Sequence, residues 1–268
     1  MESPSHSKRA DVARYMQSPV IALCASAPLD EARRVFEANG ISSVVVTGPE
    51  GEPLGVISRT DLLRLADTHA NDPVLMDLED ATVADVMTRN LVSTEPGMEP
   101  SKAAGRMVQS RVHRLYVLDE GRVVGVFGTR DAMQALIDRR VAARLDAYMS
   151  TPVLSVQYDE TVGQAIDLFR NAHVSGLVVQ EGEWPVGLFT QREALEARVM
   201  LPTTPVEEVM TASLVCLQHD TPLHRAAALA IATRARRVLA LDGRHVIGLL
   251  TGLDFCRALH DAGPSADE

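Results

Sequence analysis

Four times along the chain a methionine is followed, at almost fixed spacing, by an acidic residue: Met16 by Asp61, Met87 by Asp131, Met149 by Glu193 and Met210 by Asp254, at separations of 45, 44, 44 and 44 residues. A period of this length confines the chain to repeated supersecondary units. A unit of roughly 50 to 60 residues buries too little apolar surface to be stable by itself, so copies must share cores with neighbours.

Inside each copy the hydrophobic periodicity changes in the same order. After the Met comes a short run read as a strand: Val20-Ile21-Ala22-Leu23, Leu91-Val92-Ser93-Thr94, Val153-Leu154-Ser155-Val156 and Leu214-Val215-Cys216-Leu217. A helix start follows, Pro28-Leu29-Asp30-Glu31 in copy one, with Ala32, Val35 and Phe36 on one face, and Asp220-Thr221-Pro222-Leu223 in copy four. Two more strands form a hairpin, as at 115–118 and 123–127 around Asp119-Glu120-Gly121, and a second helix closes the copy. The expected fold class is α/β (α+β), with four β-α-β-β-α repeats.

Linker composition indicates which copies pair. Residues 67–81 between copies one and two are acidic and loop-like, copy two runs into copy three through a helix-compatible stretch at 132–147, and Pro202-Thr203-Thr204-Pro205 joins copies three and four. The expected organisation is a disordered tail at 1–11, repeats at 12–66, 83–140, 142–198 and 206–260, and a second tail at 261–268. Repeats one and two form one module and repeats three and four another, with the boundary near Val141.

A net charge of -10 supplies no overall basic field, so nucleic acid is not an expected partner. Cys24, Cys216 and Cys256 stand far apart with no C-x-x-C pairing, which argues against a disulfide framework or a zinc site and suggests buried free thiols in a reducing compartment. There is no secretory-type apolar core near the start and no run of 18 apolar residues, so a cytoplasmic protein without membrane contact is expected. The apolar segment 226–232 reads as a buried amphipathic helix. No nucleophile-base or P-loop pattern appears, and an enzyme is not expected. His219 and His224 flank a helix start without a third ligand, so no metal site is expected. Trp184 falls in the copy-three hairpin turn and is expected to be exposed.

These features together resemble the CBS domain family, named after cystathionine β-synthase, whose tandem pairs are called Bateman modules. The resemblance rests on the Met-Thr/Ser opening (Met87-Thr88, Met149-Ser150, Met210-Thr211), the strand His113-Arg114-Leu115-Tyr116-Val117-Leu118-Asp119, and the Gly-apolar-apolar-Ser/Thr-x-x-Asp close. It spans nearly the whole chain. It implies two repeats packed about a pseudo-twofold axis, with clefts between them that hold an adenosine nucleotide: AMP, ADP, ATP or S-adenosylmethionine. The four-repeat arrangement is also similar to the gamma subunit of AMP-activated protein kinase, where one chain forms a complete disc. The function implied is a non-catalytic regulatory module with no obligatory cofactor, an adenosine nucleotide as regulatory ligand, an effector protein as partner, and a homodimeric assembly. The alternative is a ligand-independent scaffold for oligomerisation or partner binding.

The closing motifs are Ser58-Arg59-Thr60-Asp61, Gly128-Thr129-Arg130-Asp131, Thr190-Gln191-Arg192-Glu193 and Thr251-Gly252-Leu253-Asp254. By resemblance, Asp61, Asp131, Glu193 and Asp254 accept hydrogen bonds from the ribose diol, while Ser58, Thr190 and Thr251 face the phosphate from a helix start. The same residues also make a capping box, which needs no ligand, and a capping hydroxyl can line a cleft as well. Gly128 lacks the hydroxyl, and Glu193 carries its carboxylate one methylene further. The expected order of site quality is therefore copy four, one, three, two.

Aligned on the second strand, His113-Arg114 of copy two and Arg236-Arg237 of copy four face Ser42-Ser43 and Ser175-Gly176 of their partners. By resemblance the four basic residues contact phosphate; as plain chemistry they are equally solvated charges at strand ends. The adenine slot implied by the family falls at Val20 and Ile41 in copy one and at Val215 and Ala235 in copy four, residues that also read as core.

Overall fold

The computed structural model describes residues 11–59, 61–62, 81–172, 174, 176–197 and 200–264. Thr60, Ser175, nearly all of the 67–81 linker, nearly all of the first tail and residues 265–268 of the second lie outside them, while Asp261, expected in that second tail, ends the last helix. The described residues form four three-stranded sheets and nine α-helices. In the first sheet β1 (Ala22–Cys24) runs parallel to β2 (Ser43–Thr47), which pairs antiparallel with β3 (Pro53–Ser58). The same order recurs as β4 (Ser93–Thr94), β5 (Arg114–Asp119) and β6 (Arg122–Gly128); β7 (Ser155–Gln157), β8 (Gly176–Glu181) and β9 (Trp184–Thr190); and β10 (Cys216–Gln218), β11 (Arg237–Asp242) and β12 (His245–Thr251). The first strand of each copy starts two residues later than its β-branched run suggests. Preceding residues still join the ladder through single bonds, Tyr116 N–H to Val92 O at 3.0 Å and Leu239 N–H to Val215 O at 2.8 Å.

The helices, in chain order, are α1 (Val12–Tyr15), α2 (Leu29–Asn39), α3 (Val83–Val86), α4 (Pro100–Ser110), α5 (Thr129–Asp138), α6 (Val162–Ala172), α7 (Gln191–Glu196), α8 (Leu223–Ala232) and α9 (Gly252–Asp261). Each central strand is buried on successive residues: Val44, Val45 and Val46; Leu115, Tyr116 and Val117; Leu177, Val178 and Val179; Val238, Leu239 and Ala240. A strand apolar on both faces needs a cover on each.

The second cover comes from the partner copy, by a reciprocal exchange. Gln17, just after Met16, bridges Val126 on β6, and Thr88, just after Met87, bridges Val56 on β3. Copies three and four repeat this with Ser150 to Leu249 and Thr211 to Leu188. Each opening Met thereby lies across a glycine of the partner's hairpin: Met16 on Gly125, Met87 on Gly55, Met149 on Gly248 and Met210 on Gly187. The recurrent Met and the recurrent glycine are two halves of one contact, since any Cβ at the glycine would occupy the place of the Met side chain or its neighbouring backbone.

The lead-in segments are exchanged in the same way. Ala13 N–H bonds Pro96 O, Ala84 N–H bonds Ala25 O, Asp146 N–H bonds His219 O and Glu207 N–H bonds Tyr158 O, at 2.9 to 3.0 Å. In the last pair of copies a side-chain contact is added, because Asp146 and His219 meet through Oδ2 and Nδ1 at 2.9 Å, with Arg144 Nη2 at 2.6 Å from the same oxygen. The His219 hydrogen bond, then Arg144, holds the Asp146 carboxyl below its ordinary value. A depressed carboxyl contributes stability that is present above its unfolded value and lost as pH falls through the folded one. Asp146→Asn is therefore expected to leave stability at pH 7 lower by less than about 1 kcal/mol, since the pair is partly solvated, and to flatten the loss between about pH 5 and 3, read by urea unfolding at stepped pH.

By density of contacts the chain divides between Gly128 and Thr129 into two compact units. Helix α5, which closes copy two, packs against α8 and α9 in the second unit. The crossing is close because Gly252 carries no side chain: a Cβ there would stand 2.8 Å from the Thr129 side chain. One expectation is corrected: the stretch 132–147 is not one helix, since α5 ends at Asp138, Arg140 turns into the left-handed region at φ 49°, and Leu145–Ala147 forms a separate 3-10 turn. The thiols are corrected too, since Cys256 is buried but Cys24 is exposed. Trp184 is 53% exposed at the start of β9. Among the described residues no helix is long and apolar enough to cross a membrane, and no His/Cys/Asp/Glu cluster could hold a metal ion.

Candidate functional site

The acids that close the copies sit where a hairpin's last strand turns into a helix. The backbone N–H groups of a first helical turn lack intrahelical partners, and a Ser/Thr followed three residues later by a carboxylate satisfies two of them reciprocally. In copy four, Asp254 Oδ2 accepts from Thr251 N–H at 2.7 Å and from the Thr251 hydroxyl at 2.8 Å. In copy one, Asp61 Oδ2 accepts from Ser58 N–H at 2.8 Å and from the Ser58 hydroxyl at 2.6 Å, while Asp61 N–H returns a bond to the hydroxyl at 3.3 Å. Copy three closes the same box: Glu193 Oε2 accepts from Thr190 N–H at 3.0 Å and from the Thr190 hydroxyl. The longer side chain of Glu193 is accommodated, and Glu193 is buried.

The cap engages one oxygen of each carboxylate. The second oxygen of Asp254 meets Arg257 Nη2 at 3.2 Å. Arg257 also donates to the carbonyl of Tyr148 and lies 5.6 Å from the centre of its ring. Among the described residues nothing bonds the second oxygen of Asp61. The sequence reading missed Arg257; the signal was its place three residues after Asp254 on one helix face. In copy two, Gly128 offers no hydroxyl, and the Thr129 side chain turns to Gly252. Asp131 and Asp254 both raise the thiol of Cys256, after burial, which is the larger cause. Burial of Cys256 makes it an inert packing group.

Each basic pair splits into an exposed and a half-buried member. His113 and Arg236 are exposed. Arg114 reaches into the partner copy, where Nη1 donates to the Ser43 hydroxyl and Nη2 to that of Ser42 at 3.3 Å. Tyr116 shares this contact: burial raises its phenol, while the Ser43 hydroxyl and Arg114 act in the opposite direction. In the other pair of copies Arg237 passes over Gly176, where a Cβ would stand 3.2 Å from Nε. Burial pushes the Arg237 guanidinium down from its ordinary value, and the Glu193 carboxylate opposes that shift. Small partner residues thus admit a guanidinium between paired copies, and the expected alternation of basic and small residues has a packing reason.

The residues expected to line an adenine slot are spread more widely. Val20 and Ile41 are half-buried, Val215 is buried and Ala235 is half-buried. The carbonyl of Ile41 accepts from Arg59 Nε at 3.1 Å, and that of Val215 joins the ladder to Leu239.

Comparison with known proteins agrees with this architecture. An uncharacterised protein of Methanocaldococcus jannaschii, MJ1426, is 31% identical over 131 residues, spanning 39% of this chain and 78% of that protein. MJ1225 of the same organism is 22% identical over 201 residues, 69% of each chain. Its crystal structure, described as a proposed archaeal homologue of g-AMPK, matches with a TM-score of 0.74 at 14% identity, covering 92% of this chain and 99% of that one. A conserved protein of Pyrococcus horikoshii matches with a TM-score of 0.70 at 18% identity, covering 93% and 100%. At such identities the structural likeness speaks for the fold. The model of the CBS domain matches residues 11–67, 83–138, 144–199 and 206–261, four consecutive copies, and the chain belongs to the CBS domain family.

Proposed function

We propose that the protein is a non-catalytic regulatory module that binds an adenosine nucleotide between paired repeats and signals by shifting the arrangement of its modules. The observation that carries this reading is the fixing of the closing carboxylates: Asp61 and Asp254 are each held at a helix start through one oxygen. A carboxylate oriented in advance accepts from a vicinal diol without further ordering cost. Ser58, Thr190 and Thr251 stand at helix starts that favour phosphate, with the exposed Arg236 as its cationic partner and the exposed His113 as a hydrogen-bonding one. Glu193 closes the same box as Asp61 and Asp254, whereas Asp131, Arg114 and Arg237 are weaker ligands in this reading, because Gly128 leaves Asp131 without a capping hydroxyl, Arg114 is held by Ser42 and Ser43, and Arg237 is half-buried. Val20, Ile41, Val215 and Ala235 supply apolar contact to the base.

An effector protein would read the bound state through its differential affinity for the two arrangements. A second copy of the chain and a cytoplasmic setting complete the proposal. The second reading, a scaffold without ligand, is favoured by one observation, the engagement of Arg114 by Ser42 and Ser43. A thermal-shift panel of AMP, ADP, ATP, S-adenosylmethionine and NAD separates the two. A ligand at 100 times its dissociation constant is expected to add about 2.7 kcal/mol of stability. A flat response to all five favours the scaffold.

A further inference from the structure

Arg257 stands one turn after Asp254 on α9 and touches two partners at once. Its Nη2 meets Asp254 Oδ1 at 3.2 Å and also donates to the Tyr148 carbonyl, while the guanidinium lies 5.6 Å from the centre of the Tyr148 ring. Asp261, one turn further along the helix, takes a hydrogen bond from the Tyr148 phenol. Positions 254, 257 and 261 share one helix face, so α9 holds Tyr148 at two successive turns.

Tyr148 belongs to the lead-in of copy three, a segment that runs against copy four. Leu145 N–H bonds Thr221 O at 3.1 Å, Asp146 N–H bonds His219 O at 3.0 Å, and Leu223 N–H bonds Ala143 O at 2.8 Å. Tyr148 closes the 3-10 turn Leu145–Ala147 through its own N–H to Leu145 O at 3.0 Å, and the next residue is Met149, seated on Gly248. Arg257 therefore joins the carboxylate assigned to the sugar in copy four to the segment that leads into copy three. Copies two and three do not carry this link. Gln134 takes the place of Arg257 in copy two and reaches Asp138 at 2.8 Å, and Glu196 takes it in copy three and pairs with Arg192 at 2.9 Å. The same place in copy one is Arg64, which lies outside the described residues.

Asp254 is 8% exposed, and its Oδ2 already accepts two bonds from Thr251. That leaves Oδ1 for a diol, and Oδ1 faces Arg257. A ribose arriving at Asp254 thus competes with the guanidinium for one oxygen. Both hydrogen bonds of Arg257 leave from the same nitrogen, Nη2, so Arg257 cannot yield the oxygen without disturbing its bond to the Tyr148 carbonyl. We propose, resting on the nucleotide reading above, that Arg257 reports occupancy of copy four: the ribose takes its place on Asp254, and the loosened lead-in of copy three is the change that an effector protein reads.

Titration calorimetry and hydrogen exchange on the full chain test this with AMP and with adenosine, which carries the diol without phosphate charge. Arg257→Gln installs the residue of copy two. It is expected to bind adenosine roughly threefold to tenfold tighter than the parent, the size of one net hydrogen bond. AMP should speed exchange of the 144–149 amides roughly threefold or more in the parent. In unliganded Arg257→Gln those amides should already exchange fast, with no further response to AMP. Arg257→Lys keeps a cation on the same face and should fall between the two, which preserves the comparison should the glutamine variant not fold. Weaker AMP with unchanged adenosine in Arg257→Gln would make Arg257 a phosphate ligand and sink the proposal. Parent-like adenosine affinity or parent-like exchange in that variant, with AMP still bound by the parent, overturns the role of Arg257 and leaves the nucleotide reading standing. No binding of either compound by the parent removes both.

Discussion

Gly55→Ala is expected to destabilise the protein by about 2 to 3 kcal/mol, a lower urea midpoint with an unchanged slope. The added Cβ would stand 2.5 Å from the Thr88 carbonyl oxygen. That oxygen cannot rotate away, because it accepts from Val56 N–H at 2.9 Å in the bridge between copies one and two. Gly97→Ala is the control: its Cβ meets nothing within 4 Å, and a change within about 0.5 kcal/mol is expected. If both variants unfold alike, the close approach of Met87 and Thr88 to the hairpin is not what holds the pair together.

Asp254→Ala removes the acceptor of both the Thr251 N–H and its hydroxyl. A lost cap costs about 1 to 2 kcal/mol, and on the proposed reading nucleotide affinity falls roughly tenfold or more. The two roles separate in Asp254→Asn, which keeps an oxygen for the cap but no charge for the diol. Its stability is expected within about 1 kcal/mol of the parent while its affinity falls as in the alanine variant. Affinity that merely follows stability through both variants would reduce Asp254 to a helix cap. Asp131→Ala should weaken the nucleotide less than Asp254→Ala does, since Gly128 leaves its copy without the hydroxyl.

The repeat, the order of its elements and the hairpins were legible because period and alternation are properties of the local chain. The start of each first strand was less so. Val20 and Val153 are as β-branched as any strand residue, yet the ladder begins two positions later, where the second strand is available as a partner. The capping boxes at Ser58, Thr190 and Thr251 were visible as three-residue patterns. The exchange of lead-in segments was not, although both halves of its contact were written in the sequence. Met87 and Gly55 recur in every copy, but only packing shows that each Met meets the glycine of another copy.

Helix α5 illustrates the limit most clearly. Its sequence assigns it to copy two by continuity, while its neighbours are α8 and α9, and nothing local to 129–138 encodes that choice. The basic pairs were readable in position but not in direction. Ser43 and Gly176 are small for a reason that appears only when Arg114 and Arg237 are seen to extend into the space they leave.

The central claim is that carboxylates at equivalent places in the repeats receive a nucleoside sugar. Equilibrium dialysis of radiolabelled AMP and ATP against the parent chain and an Asp61→Asn/Asp254→Asn double variant tests it most directly. Saturable uptake by the parent, displaced by unlabelled nucleotide and lost in a double variant that remains folded, is the predicted result. Equal uptake by both proteins, or none by the parent, would contradict it.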